Sequence, residues 1–172
     1  VLIIAGDTEE PAGAYDSSVG LLETGLLQAY GIRSIGITGY PEGHPKIPDA
    51  SLMAALDRKI GYAETHDLDM FMVTQFCFDG QAIVEWLRRL RSRGVALPVR
   101  VGVAGPASIR TLLKYGVRCG VGNSIRALKS QALSLRRLLG QQGPEEVVYR
   151  IAPLAAELGV AGLHLFPFGG FA

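Results

Sequence analysis

Short apolar runs alternate along the chain with longer segments in which apolar residues recur every three to four positions. Val1–Ala5 is a continuous β-type run, and its lack of polar alternation predicts a strand buried on both faces. Beyond a Gly-, Glu- and Pro-rich loop at 6–16, Ser17 or Ser18 is placed to cap a helix. That helix carries Val19, Leu22, Leu26 and Leu27 and closes at Gly31. Ser34–Thr38 reads as the second strand, and Asp49 or Ser51 as the cap of a helix with Leu52, Ala55, Leu56 and Ile60 on one face. Met70–Thr74 is the third strand. A helix from Gln81 to Arg93 follows, with an apolar stripe of Ile83, Val84, Leu87 and Leu90, a basic far side, and Gly94 as its stop. Val99–Val103 is the fourth strand. Helical patterns then cover Ala107–Tyr115 and Ser124–Leu139, separated by a glycine-bearing break at 116–122. A last helix with Pro144 in its first turn runs to about Leu158, and Gly162–Phe166 is the fifth strand.

Strands alternating with helices imply right-handed βαβ units and a parallel sheet. Length alone favours an open, flavodoxin-like sheet of five strands, because a (β/α)8 TIM-type barrel usually takes about 250 residues and this chain has 172. The polar and turn residues favour the barrel. Asp7, Tyr40, Gln75, Pro106 and Pro167 each follow the end of a different strand, whereas an open sheet gathers its ligand groups at one switch point. The expectation is an α/β fold of barrel type. Residues 1–172 form one (β/α) domain that holds about the last five strands, its first units preceding Val1, which opens straight into a strand without a Met. An open five-stranded parallel sheet is the alternative.

A formal charge of +1 marks no electrostatic footprint for nucleic acid or an anionic membrane surface. Cys77 and Cys119 lie far apart without CxxC spacing, which fits reduced core thiols in a cytoplasmic protein. No apolar run approaches the roughly 20 residues of a membrane span, and no basic stretch precedes an apolar core as in a signal peptide. The three histidines, His44, His66 and His164, lack metal-ligand spacing, so no metal is expected.

Three segments can carry chemistry. Ile3-Ile4-Ala5-Gly6-Asp7 ends in a carboxylate that either starts an Asx-turn or reads a ligand edge. Gly39-Tyr40-Pro41-Glu42-Gly43-His44-Pro45 puts a phenol and an imidazole on a proline-stiffened loop, where little rotamer and backbone entropy is left to lose. Val73-Thr74-Gln75-Phe76-Cys77-Phe78-Asp79 sets an amide, both donor and acceptor, beside aromatic rings at a strand end. Lys59 is either a solvated helix lysine or a cation facing a ligand. Gly120-Val121-Gly122-Asn123 lacks a P-loop Lys-Ser/Thr and reads as an inter-helix turn.

In this order and at these intervals the three segments resemble the flavin- and folate-binding strands of the methylenetetrahydrofolate reductase family, most closely from Val1 to Asp79. The resemblance implies FAD, with NADH or NADPH as co-substrate. Ile4, Ala5, Gly6, Asp7, Tyr40, His44 and Lys59 would hold the cofactor, with Lys59 at the pyrophosphate. It assigns Asp7, Gln75 and Phe76 to the folate, Asp7 and Gln75 being the residues closest to the chemistry. Some positions depart from the family: Ala5 stands where Arg or another polar residue is common, and Cys77 replaces an aromatic. An acidic partner expected two turns before Lys59 is replaced by Leu52 or Met53, leaving Asp49 as its substitute. Pro167-Phe168-Gly169-Gly170 replaces the usual ending, with Gly170 nearest the position of a substrate-holding Arg.

The implied activity is hydride transfer between NAD(P)H and 5,10-methylenetetrahydrofolate to give 5-methyltetrahydrofolate, or the reverse in folate-linked demethylation. The general acid would be a Glu on a strand before Val1. The altered ending supports a second reading, a non-catalytic folate- or flavin-binding partner subunit; a homo-oligomer is a further assembly compatible with the chain.

Overall fold

The computed structural model describes residues 1–5, 11, 13–105, 107–119, 121 and 144–168. Four strands, β1 (Ser34–Gly39), β2 (Asp69–Thr74), β3 (Val99–Ala104) and β4 (Val160–Phe166), form one parallel sheet in the order β1-β2-β3-β4. Each strand pairs with its neighbour in sequence, and among the described residues nothing reverses that order. A segment of a (β/α) barrel shares this winding with a sequentially wound open sheet; the flavodoxin-like order does not.

The pairing is uneven. β1 and β2 match over Ser34–Gly39, and β3 and β4 match along most of their length beyond an irregularity at Val99/Arg100. The seam between β2 and β3 has only Met72 opposite Val99 and Val73 opposite Arg100. Thr74 extends the seam with its side chain: its Oγ1 accepts the Gly102 N–H at 2.8 Å, buried. A Cβ at Gly102 would overlap the Thr74 carbonyl oxygen, so glycine is what lets the strands close here.

One face of the sheet is packed. Ile35, Ile37, Met70, Met72, Val99, Val101 and Val103 form a core with Leu56 and Ala63 of α3 (Asp49–Thr65) and with Ile83, Val84, Trp86, Leu87 and Leu90 of α4 (Gly80–Ser92). The other face carries Gly36, Phe71 and Arg100, with the exposed Arg100 guanidinium 4.6 Å over the Phe71 ring. A Cβ at Gly36 would lie 2.7 Å from that ring, which explains a glycine inside a strand.

Local signals mostly set the helices as expected. Asp79 caps α4 by accepting the Gln81 and Ala82 N–H groups at 2.9 and 3.2 Å. Ser17 caps α1 (Ser18–Glu23) through the Gly20 N–H. The single helix expected up to Gly31 is broken, because α2 (Leu26–Ala29) starts after Gly25 at φ 73°. Thr24 causes the break: its Oγ1 donates to the Leu21 carbonyl and accepts from the Leu26 N–H, competing with the helical ladder. Neither Asp49 nor Ser51 caps α3; Pro48 holds the N-cap position, and Asp49 lies in the first turn, where a carboxylate complements the helix dipole.

α5 (Ile109–Arg118) is capped by Ser108 and runs through Gly116, so the break expected there falls later. The helix expected at Ser124–Leu139 lies outside the described residues. Pro144 is the N-cap of α6 (Glu145–Ile151), which gives way to a 3₁₀ turn at Ala152–Leu154 instead of reaching Leu158. Pro153 is the reason, since its ring cannot follow an α-helical carbonyl four residues back.

The expected first strand is a correction. Val1–Ala5 contributes one parallel bridge, Leu2 to Gly36, on the outer side of β1. Ile3 is buried, but Ile4 is 63% exposed, so the run is not covered on both faces. Two bonds with Gly36, its N–H donated to the Val1 carbonyl and the Ile3 N–H donated to its carbonyl, hold the segment in place.

Candidate functional site

Where β1 ends, the chain turns over Tyr40-Pro41-Glu42-Gly43. The Gly43 N–H donates to the Tyr40 carbonyl at 3.0 Å, and Gly43 takes the left-handed φ of 78° that favours glycine. His44 is tied by its own loop: Nδ1 accepts the Lys46 and Ile47 N–H groups at 3.2 and 3.1 Å, placing the neutral ring's proton on Nε2. The Tyr40 and His44 rings meet edge to face at 5.1 Å. The loop thus presents two fixed rings before any ligand arrives.

Beside it a cavity of about 470 Å³ opens between α3 and α4, within the usual range of small-molecule and cofactor sites. Tyr40, Pro41 and Glu42 wall one side, Leu52, Leu56 and Lys59 of α3 a second, and Trp86 and Arg89 of α4 with its C-cap Arg93 a third. Gly39 makes room for the indole, since a Cβ there would sit 2.6 Å from Trp86 and 2.7 Å from the Met72 sulfur. Arg93 also pairs with Asp57 at 3.2 Å across the rim.

Lys59 stands apart from the other cations. It is only 6% exposed, on the same helical stripe as Leu56 and Ala63. Its ammonium makes no hydrogen bond or ion pair among the described residues. Burial alone pushes its pKa below the ordinary lysine value. An unpaired buried ammonium is unfavourable, and an anion entering the cavity would relieve it.

The other expected site residues lie elsewhere. Gln75 follows β2, donates its N–H to the Gly39 carbonyl at 2.8 Å, and accepts the Phe76 N–H on its own Oε1 at 3.1 Å. Phe76 is 1% exposed, packed edge-to-face on Phe78, Phe166 and Phe168 in an aromatic cluster that Tyr115 of α5 joins by stacking on Phe168. Neither lines the cavity. Cys77 ties the two regions together, as its thiol donates to Glu42 Oε1 at 3.5 Å and contacts the Asp79 carbonyl at 3.3 Å. Ile4 and Ala5 are exposed on the edge segment. Gly6, Asp7, Pro106 and Gly170 lie outside the described residues.

The structure therefore brings Tyr40 and Lys59 into one cavity with His44 against the Tyr40 ring, joins Gln75 to it only through the Gly39 carbonyl, and puts Phe76 in the separate aromatic cluster. Sequence reasoning missed the α4 wall. Trp86, Arg89 and Arg93 recur at helical spacing and so share one face, a periodicity hidden by reading that side of the helix only as basic. Arg91 is different, because its guanidinium donates to the carbonyls of Val95, Leu97, Leu158 and Gly159.

No protein-family model matches the chain. It is 29% identical over 73 residues to methylenetetrahydrofolate reductase 2 of Saccharomyces cerevisiae, a match covering 41% of this chain and 11% of the yeast protein.

Proposed function

We propose that the chain binds FAD in the cavity between α3 and α4, and that it serves hydride transfer between NAD(P)H and 5,10-methylenetetrahydrofolate. Lys59 carries the proposal, as a buried cation without a counter-ion among the described residues, in a cavity that also presents two aromatic rings. The partial similarity to the yeast reductase supports the same reading. The donor set fits the group: Tyr40 and Trp86 offer faces for a planar ring, and Lys59 and Arg89 offer charge for a diphosphate. When bound, flavin supplies the hydride relay. The chain's own work is binding and exclusion of water. Lys59 neutralises phosphate charge, the Tyr40–His44 pair fixes the loop against the ligand, and Leu52 and Leu56 of α3 offer the ring an apolar surface that displaces water. Gln75 does not line the cavity but bonds the carbonyl of Gly39, which does, and we assign the folate to the side of Gln75 and Phe76.

Purified protein with bound oxidised flavin would absorb near 450 nm, about the value general to flavins. Lys59→Glu reverses the charge and is expected to weaken FAD binding by roughly 1–3 kcal/mol, as read by flavin fluorescence titration. Unchanged retention would place the cofactor elsewhere. Flavin binding without folate-dependent reoxidation of reduced flavin would identify a binding partner instead of a reductase.

A further inference from the structure

We propose that Lys59 is a covalent modification site, a nucleophilic amine that forms an imine with phosphate-bearing aldehydes entering the cavity. The proposal uses the same residue as the cofactor reading but needs no cofactor, so the two can fail separately.

Geometry supplies what such an amine requires. Its stem is fixed on α3 with Leu56 and Ala63 on the same stripe, so the amine meets the cavity from a defined position. No carboxylate holds it by an ion pair among the described residues, although Glu42, Asp49 and Glu85 line the same cavity; Glu85 Oε1 accepts a bond from Gln81 at 3.0 Å. The walls around the amine are partly apolar, Leu52, Leu56 and the Trp86 ring among them, which disfavours the charged form and leaves a larger share of the nucleophilic neutral amine. Arg89 lines the same space without a side-chain partner among the described residues, and it can seat a phosphate while the aldehyde carbon reaches Lys59.

The reaction balances without an oxidant. The Nζ lone pair attacks the carbonyl carbon and forms the C–N bond, while the C=O π pair moves to oxygen and takes a proton. The resulting carbinolamine loses its hydroxyl with the remaining amine proton as water, leaving the imine.

The test uses pyridoxal 5′-phosphate as the probe on the full chain at neutral pH. Cyanoborohydride supplies the hydride that makes the adduct permanent, and peptide mass spectrometry locates it. Label is expected to concentrate on Lys59, by about tenfold over the exposed Lys46 and Lys114. Even labelling, or none at Lys59, would overturn the proposal without recourse to any variant. Arg89→Gln is expected to reduce labelling by the phosphate-bearing probe but not by pyridoxal, and equal labelling of Arg89→Gln and wild type by the phosphate probe would remove the phosphate seat. Protection of Lys59 by added FAD supports both readings. Labelling that FAD does not block upholds the reactive amine and overturns the cofactor assignment, whereas FAD binding that depends on Lys59 without any labelling does the reverse.

Discussion

With its folded-state pKa lowered by burial, Lys59 penalises the ligand-free fold wherever its ammonium is charged. In the window between that lowered value and the unfolded value of about 10.4, the unfolded chain binds more protons than the folded one. Stability therefore rises with pH across the window, and below it the penalty is complete. Lys59→Met keeps the stem and removes the charge, so it is expected to stabilise the ligand-free protein at neutral pH by roughly 1–3 kcal/mol. The gain should fade as the pH approaches the unfolded value, as paired thermal melts would show. A constant difference at both ends of the range would mean that packing, not charge, separates the variants. Arg91 is the opposite case at the same scale. It is also pushed below its ordinary pKa by burial, yet its donors are occupied by four backbone carbonyls.

Among the elements, the contact between β1 and α4 is the tightest requirement on the cavity. Gly39→Ala would drive a methyl into the indole of Trp86, the chain's single tryptophan. The expected result is a loss of roughly 1–3 kcal/mol in a denaturant titration, accompanied by a shift in tryptophan emission as the ring moves. A shift without loss of stability would mean that the indole yields freely. Arg91 fastens the end of α4 to the turn before β4, and Arg91→Ala leaves those carbonyls to find water. It is expected to destabilise the protein by about 2–4 kcal/mol, with little change in flavin titration because the residue does not line the cavity. Strand positions were legible in the sequence because runs such as Ile35 to Ile37 and Val99 to Val103 are β-branched and bounded by turn residues. The break at Thr24 was not, since a helix-competing hydroxyl is written in the same letters as a solvated one.

For the molecule as a whole, the alternation of strands and helices made a parallel α/β sheet legible, whereas its sequential order and the packing of α3 and α4 on one face come from tertiary contacts. The Val1–Ala5 run misled because apolar composition alone cannot say whether a neighbour lies on the outer side; Ile4 shows that exposure. The candidate site was half legible. Tyr40, His44 and Lys59 stood in recognisable company, but the α4 side of the cavity depends on how two helices pack. The short seam between β2 and β3 carries a consequence for mechanics. Two well-zipped strand pairs meet along a line whose ladder has two register positions and one threonine hydroxyl, with Phe76 packed across it on Phe166 and Phe168 and Arg91 bonded across it to the Leu158 and Gly159 carbonyls. Under pulling or partial denaturation the backbone ladder is expected to open first along this line, leaving those side chains to hold the half that bears Tyr40 and Lys59 to the half that bears Phe166 and Phe168.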